Sequence, residues 1–148
     1  MKPAALILIL ILLTTIPPHT ESKKQGTKFM DKTTVAIYND INEEDSSITV
    51  HCYSVNGDLG THQLTYGTNF TWTFREDFWG MTKYYCDFVT EYGSGNYGVF
   101  TPKLRIRCDT FCPWSITDTG PCLEQTAYGH ELWCQGWKIP HPPPPALT

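Results

Sequence analysis

The sequence predicts an all-β protein, a small disulfide-bonded antiparallel β-sandwich. Three observations lead to it. Short segments of alternating apolar and polar residues recur roughly every 8–12 residues, with turn signals between them. No stretch carries a convincing 3.6-residue apolar period of an amphipathic helix. All six cysteines, Cys52, Cys86, Cys108, Cys112, Cys122 and Cys134, follow an apolar N-terminal leader. An even number of cysteines in an exported chain reads as three disulfides.

The leader opens with Met1-Lys2, runs through apolar residues 4–13 and closes on Pro17-Pro18. A membrane-crossing helix takes about 20 residues, so this shorter run with its basic start predicts a secretory signal peptide over residues 1–22. The remaining length, about 126 residues, suits one domain. Loss of the leader removes Lys2 and Glu21 and leaves the formal charge at −4. Nucleic-acid and anionic-membrane binding both call for a basic patch, and no later segment could anchor in a bilayer, so neither partner is expected. The expected product is a secreted, extracellular monomer with no cofactor.

Residues 23–32 are polar and read as a flexible arm. Residues 33–38 then alternate as a strand with Val35 and Ile37 on one face, followed by an acidic connecting loop over 39–47. In the next strand Ile48, Val50 and Cys52 face inward while Thr49, His51 and Tyr53 face outward. Asn56-Gly57 predicts a type I′ hairpin turn, which needs positive φ at both central positions. A brief strand at 64–66 ends at Gly67, and Phe70, Trp72 and Phe74 then form an inward aromatic face. Residues 83–89 form a strand, 93–96 a glycine-rich loop and 97–101 a short strand. Leu104, Ile106 and Cys108 alternate with Arg105 and Arg107 as one more, and 115–117 can close the sheet. The domain is expected over 33–139, with a disordered proline-rich tail at 140–148.

Residues able to carry chemistry are sparse, and no catalytic or metal-binding group is expected. His51, His62, His130 and His141 are scattered through the mature chain, and nothing in the pattern brings two together for acid–base catalysis. His130-Glu131 lacks the second histidine of a zinc-protease helix, and Cys108, Cys112, Cys122 and Cys134 offer no C-x2-C pair for zinc. The cluster Asp40, Asn42, Glu43, Glu44 and Asp45 lacks the turn glycine and terminal glutamate of a calcium loop; a solvated acidic loop, and a candidate contact surface, is the better reading. Asn69-Phe70-Thr71 is the single N-glycosylation sequon, beside a turn that should expose Asn69. Trp79, Trp133 and Trp137 fall outside the strand pattern, and exposed tryptophans would suit sugars or partner pockets.

An ordered set of residues runs through these elements: His51-Cys52, Asp58-Leu59-Gly60, Trp72-Thr73-Phe74, Tyr84-Tyr85-Cys86, then Cys108, Cys112 and Trp114. In order and spacing this set resembles the plant self-incompatibility protein family, the S-protein homologues. The resemblance implies a secreted β-sandwich that acts as a ligand for a cell-surface receptor protein in cell–cell recognition or signalling, and not as an enzyme. It implies a family core of four cysteines at Cys52, Cys86, Cys108 and Cys112, leaving Cys122 and Cys134 as an additional pair. From the residues alone fifteen connectivities remain open. Framework residues would hold the sheets while segments 40–47, 75–81, 91–96 and 122–134 present variable surface. The alternative reading is a secreted carbohydrate- or cell-wall-binding protein using exposed aromatics.

Overall fold

Ten strands and one short helix follow one another in the computed structural model, which describes residues 31–142. The expected leader at 1–22, the arm up to residue 30 and the tail from 143 lie outside the described residues. The strands are β1 (Lys32–Asn39), β2 (Ser47–Ser54), β3 (Gly57–Thr65), β4 (Asn69–Arg75), β5 (Tyr84–Val89) and β6 (Gly93–Phe100). Helix α1 (Pro102–Cys108) comes next, then β7 (Phe111–Thr117), β8 (Gly120–Gln125), a 3-10 turn (Thr126–Tyr128), β9 (Glu131–Cys134) and β10 (Ile139–Pro140). They form two five-stranded sheets, ordered β4-β1-β7-β8-β9 and β10-β6-β5-β2-β3. This is a disulfide-bonded β-sandwich. All pairings are antiparallel but one, since β1 runs parallel to β7.

Alternation explains the core. Val35 and Ile37 from β1, Ile48, Val50 and Cys52 from β2, and Phe88 from β5 are fully buried between the sheets with Val99, Trp114 and Ile116. The aromatic row Phe70, Trp72 and Phe74 packs against this core but stays half-buried, because β4 is an edge strand. Phe74 meets Phe100 edge-on at 4.9 Å, which seals one open side of the sandwich.

Several local expectations are corrected. Residues 104–108 are helical: Thr101 caps α1 by accepting from the Leu104 N–H, and Pro102 occupies the first turn. A Thr-Pro helix start outweighs a five-residue alternation, and Ile106, read as alternating in phase with Leu104 and Cys108, is 64% exposed while those two are buried. Residues 93–96 begin β6 rather than forming a loop. Their glycines permit close approach, since a Cβ on Gly93 would sit 2.3 Å from the Trp137 ring. The β2–β3 turn lies one residue earlier than expected, at Val55-Asn56 between paired Ser54 and Gly57, and neither Asn56 nor Gly57 has positive φ. The Ser54 hydroxyl accepts from the Asn56 N–H and closes that turn. The positive φ falls instead on Gly60, at the register shift in β3.

The segment 122–134 is also not a loop but the β8–β9 hairpin, in which Cys122 and Cys134 are direct cross-strand partners. Pro140, assigned to the tail, pairs with Gly93 on an edge strand, where a missing N–H is tolerated. Lys32, assigned to the arm, starts β1. Disulfides join Cys52 to Cys86 across β2 and β5, Cys108 to Cys112 across the exit from α1, and Cys122 to Cys134.

Candidate recognition surface

The strand directions sort the connecting segments onto two ends of the sandwich. One end gathers the acidic loop after β1, the turn before Asn69, and the β5–β6 and β7–β8 turns. The other gathers Val55-Asn56, the β4–β5 connection and α1.

The acidic loop is held at its root. Asn39 is fully buried; its side-chain amide donates to the Leu64 and Ser46 carbonyls, and its oxygen accepts from the Ile41 N–H at 3.1 Å. Ile41 itself is buried. Between these anchors Asp40, Asn42, Glu43, Glu44 and Asp45 are exposed. The Tyr92 hydroxyl donates to Glu43, tying the loop to the β5–β6 turn. That bond to a carboxylate, added to neighbouring negative charge, pushes the Tyr92 hydroxyl up to about 12. Asp40, Glu43, Tyr92 and Asp118 line a shallow concavity of about 200 Å³.

Asn69 lies exposed at the start of β4, on the same end, and accepts from the Thr71 hydroxyl at 3.0 Å. On the outer face of the second sheet, His51 Nε2 is 2.9 Å from Asp58 and Nδ1 is 3.5 Å from Asp87. The His51-Cys52 and Asp58-Leu59-Gly60 motifs thus meet across β2 and β3. Asp58 also accepts from the Gly60 N–H at 2.7 Å, and this bond, followed by the one to His51, lowers the Asp58 carboxyl below its ordinary value. A depressed carboxyl supplies stability that is complete above the unfolded aspartate value, about 3.9, and is lost as pH falls through the folded one. Asp58→Asn should therefore flatten the acid limb of a denaturant-midpoint against pH curve below about pH 4. An unchanged acid limb would contradict the assignment.

The other histidines among the described residues are engaged elsewhere. His62 stacks on Phe70 at 3.7 Å, His130 contacts Glu124, and His141 contacts the Thr90 carbonyl. Among the described residues no group of three or more His, Cys, Asp or Glu side chains is placed to hold a metal. The tryptophans separate clearly. Arg107 covers the Trp133 ring at 4.9 Å, and the half-buried Trp137 donates to the Asp118 carbonyl, whereas Trp79 and its neighbour Phe78 are each 78% exposed. The Tyr92–Glu43 link spans 49 residues, so no local pattern could have signalled it.

The described residues thus form a disulfide-stapled β-sandwich with an ordered acidic loop at one end. The profile described as plant self-incompatibility protein S1 matches residues 34–137, and the chain belongs to that family. It is similar to self-incompatibility protein S1 of Papaver rhoeas, 32% identical over 99 residues, covering 64% of this chain and 66% of the relative. It is also similar to two Arabidopsis thaliana proteins. S-protein homolog 19 is 34% identical over 60% of this chain and 66% of the relative, and S-protein homolog 2 is 28% identical over 71% and 68%. The chain thus spans about two thirds of the length of the curated relatives it matches. No solved structure matches it. The family is extracellular and non-enzymatic, and membership associates the chain with cell–cell recognition.

Proposed function

We propose that this chain is a secreted protein ligand, exported by the leader at 1–22, that binds a cell-surface receptor protein. The observation that carries this reading is the acidic loop. Asn39, Ile41 and Tyr92 fix its path while Asp40, Glu43, Glu44 and Asp45 remain solvated. A loop ordered before binding loses less entropy on association, and a single-sign surface steers encounter with a basic partner.

Neutralising the loop as Glu43→Gln, Glu44→Gln and Asp45→Asn should leave stability within about ±0.5 kcal/mol, as surface changes usually do. The same variant should bind cells more weakly and with less dependence on salt. Stable protein with unchanged binding would remove the loop from the interface. A glycan array run alongside tests the carbohydrate reading, which rests on the exposed Trp79; selective glycan binding lost in Trp79→Ala would replace the protein-ligand reading.

Asn69 is a proposed glycan acceptor on the acidic end. In a eukaryotic secretory host, Asn69→Gln should lower the intact mass by one glycan. An unchanged mass would show the site unused.

A further inference from the structure

Residues 135–141 cross from the edge of one sheet to the edge of the other. They leave β9 at Cys134 and end as β10 beside β6. The crossing is held along its length. The Gln135 N–H donates to the Pro121 carbonyl at 2.9 Å, and the Gln135 carbonyl oxygen lies so close to Gly120 that a side chain there would have no room. The Tyr97 hydroxyl donates to the Gly136 carbonyl at 2.9 Å and accepts from the Lys138 N–H at 2.8 Å. Ile139 and Pro140 pair with Ser94 and Gly93, and the His141 N–H donates to the Tyr92 carbonyl at 2.9 Å.

This segment grips two of the three walls of the acidic concavity. That hollow lies between loop residues 40–43, Tyr92 of the β5–β6 turn and Asp118 of the β7–β8 turn. The Trp137 ring rests on Gly93, next to Tyr92, where no side chain would fit, and its indole N–H donates to the Asp118 carbonyl at 2.8 Å. One side chain thus ties the two turns together. The third wall is tied to both: the Tyr92 hydroxyl donates to Glu43, and the Asp40 N–H donates to the Ile116 carbonyl of β7 at 3.0 Å.

We propose that residues 135–141 form a strap that positions the acidic recognition surface, with Trp137 as the positioning residue that sets the spacing of the β5–β6 and β7–β8 turns. The proposal rests on the reading of the acidic loop as the contact surface of a protein ligand. Trp137 is half-buried and spends its N–H on Asp118, so its effect passes through the turns and not through contact with the partner. Without it the Tyr92 and Asp118 walls would take up their spacing only on binding, and ordering groups at that moment weakens association. The Tyr92 phenol reports the arrangement independently of any partner. Its bond to Glu43 first, then burial, with Asp118 among the nearby charges, holds it up to about 12.

The test combines tetranitromethane nitration of the purified, secreted protein, located by peptide mass spectrometry, with equilibrium binding to intact protoplasts. The reagent attacks phenolate, so Tyr92 should be spared in wild type while exposed Tyr128 reacts. In Trp137→Ala, nitration of Tyr92 relative to Tyr128 should rise at least about threefold as the Glu43 contact loosens, and binding should weaken at least about fivefold. Trp137→Phe keeps a ring over Gly93 without the N–H; it should keep a melting temperature near wild type and shift both readouts the same way, by about twofold or more. Phe74→Leu, at the end of β4 away from the acidic loop, should lower the melting temperature and leave both readouts as in wild type. Unchanged Tyr92 nitration in folded Trp137→Ala overturns the strap proposal, as does unchanged binding there while the neutralised-loop variant binds weakly. If Trp137→Ala does not fold, Trp137→Phe decides on the same terms. Equal changes in Phe74→Leu also overturn the proposal, by tracing them to lost stability. If neither Trp137→Ala nor the neutralised-loop variant loses binding, or wild type binds no cells, the contact-surface reading falls and the strap's role falls with it.

Discussion

Trp114→Ala should lower the unfolding free energy by about 3–5 kcal/mol, the usual cost of deleting a large buried aromatic. Trp114 is fully buried at the centre of the first sheet, where β7 lies between β1 and β8. Its indole N–H donates to the Val99 carbonyl of the opposing sheet at 2.9 Å, so truncation opens a cavity and also leaves a buried acceptor unpaired. Trp72, expected from the sequence to be a core residue, sits on edge strand β4 and is only half-buried, so Trp72→Ala should cost less than Trp114→Ala. Urea unfolding of the two secreted variants beside wild type gives the order. A Trp114→Ala midpoint equal to wild type, or a larger loss at Trp72, would contradict the packing described.

Replacing Cys52 and Cys86 together with Ala should be nearly as costly. The bridge closes a 34-residue separation, against 12 for Cys122–Cys134 and 4 for Cys108–Cys112. In the chain-entropy account these correspond to about 4, 3 and 2 kcal/mol. Cys52 and Cys86 are fully buried partners on β2 and β5, as are Cys108 and Cys112 at the exit of α1, so burial adds a cavity cost to both pairs and loop length is what separates them. The expected order of denaturant midpoints, from lowest, is the 52/86 pair, the 122/134 pair and the 108/112 pair. A 108/112 variant that is the least stable of the three would contradict this order and show that packing around its buried cysteines outweighs restriction of the unfolded chain.

Legibility followed the range of the interactions. The sandwich and the inward faces of β1 and β2 were readable because period-two alternation is a local consequence of strand geometry. Leu104 to Cys108 misled because five residues fit a strand and a helical turn equally well, and the deciding signal was the Thr101-Pro102 start. Gly93 and Gly95 misled for the opposite reason. Glycine that signals a turn locally is used here to admit Trp137 at Gly93 and Lys138 with the same strand's Tyr97 at Gly95, and the demand from Trp137 and Lys138 comes from residues distant in the chain. The surface was less legible than the framework. The acidic loop and Asn69 stand out by composition, but the anchors Asn39 and Tyr92 and the proximity of Val55 to Met81 depend on tertiary contacts.

Recognition of a protein on a cell surface is the central claim, and protease sensitivity tests it most directly. Labelled protein should bind intact protoplasts saturably, and brief protease treatment of the cells before labelling should remove most of the saturable sites. Saturable binding that survives the treatment undiminished, or binding that rises linearly without saturation, would contradict the claim that the chain acts as a ligand for a surface protein.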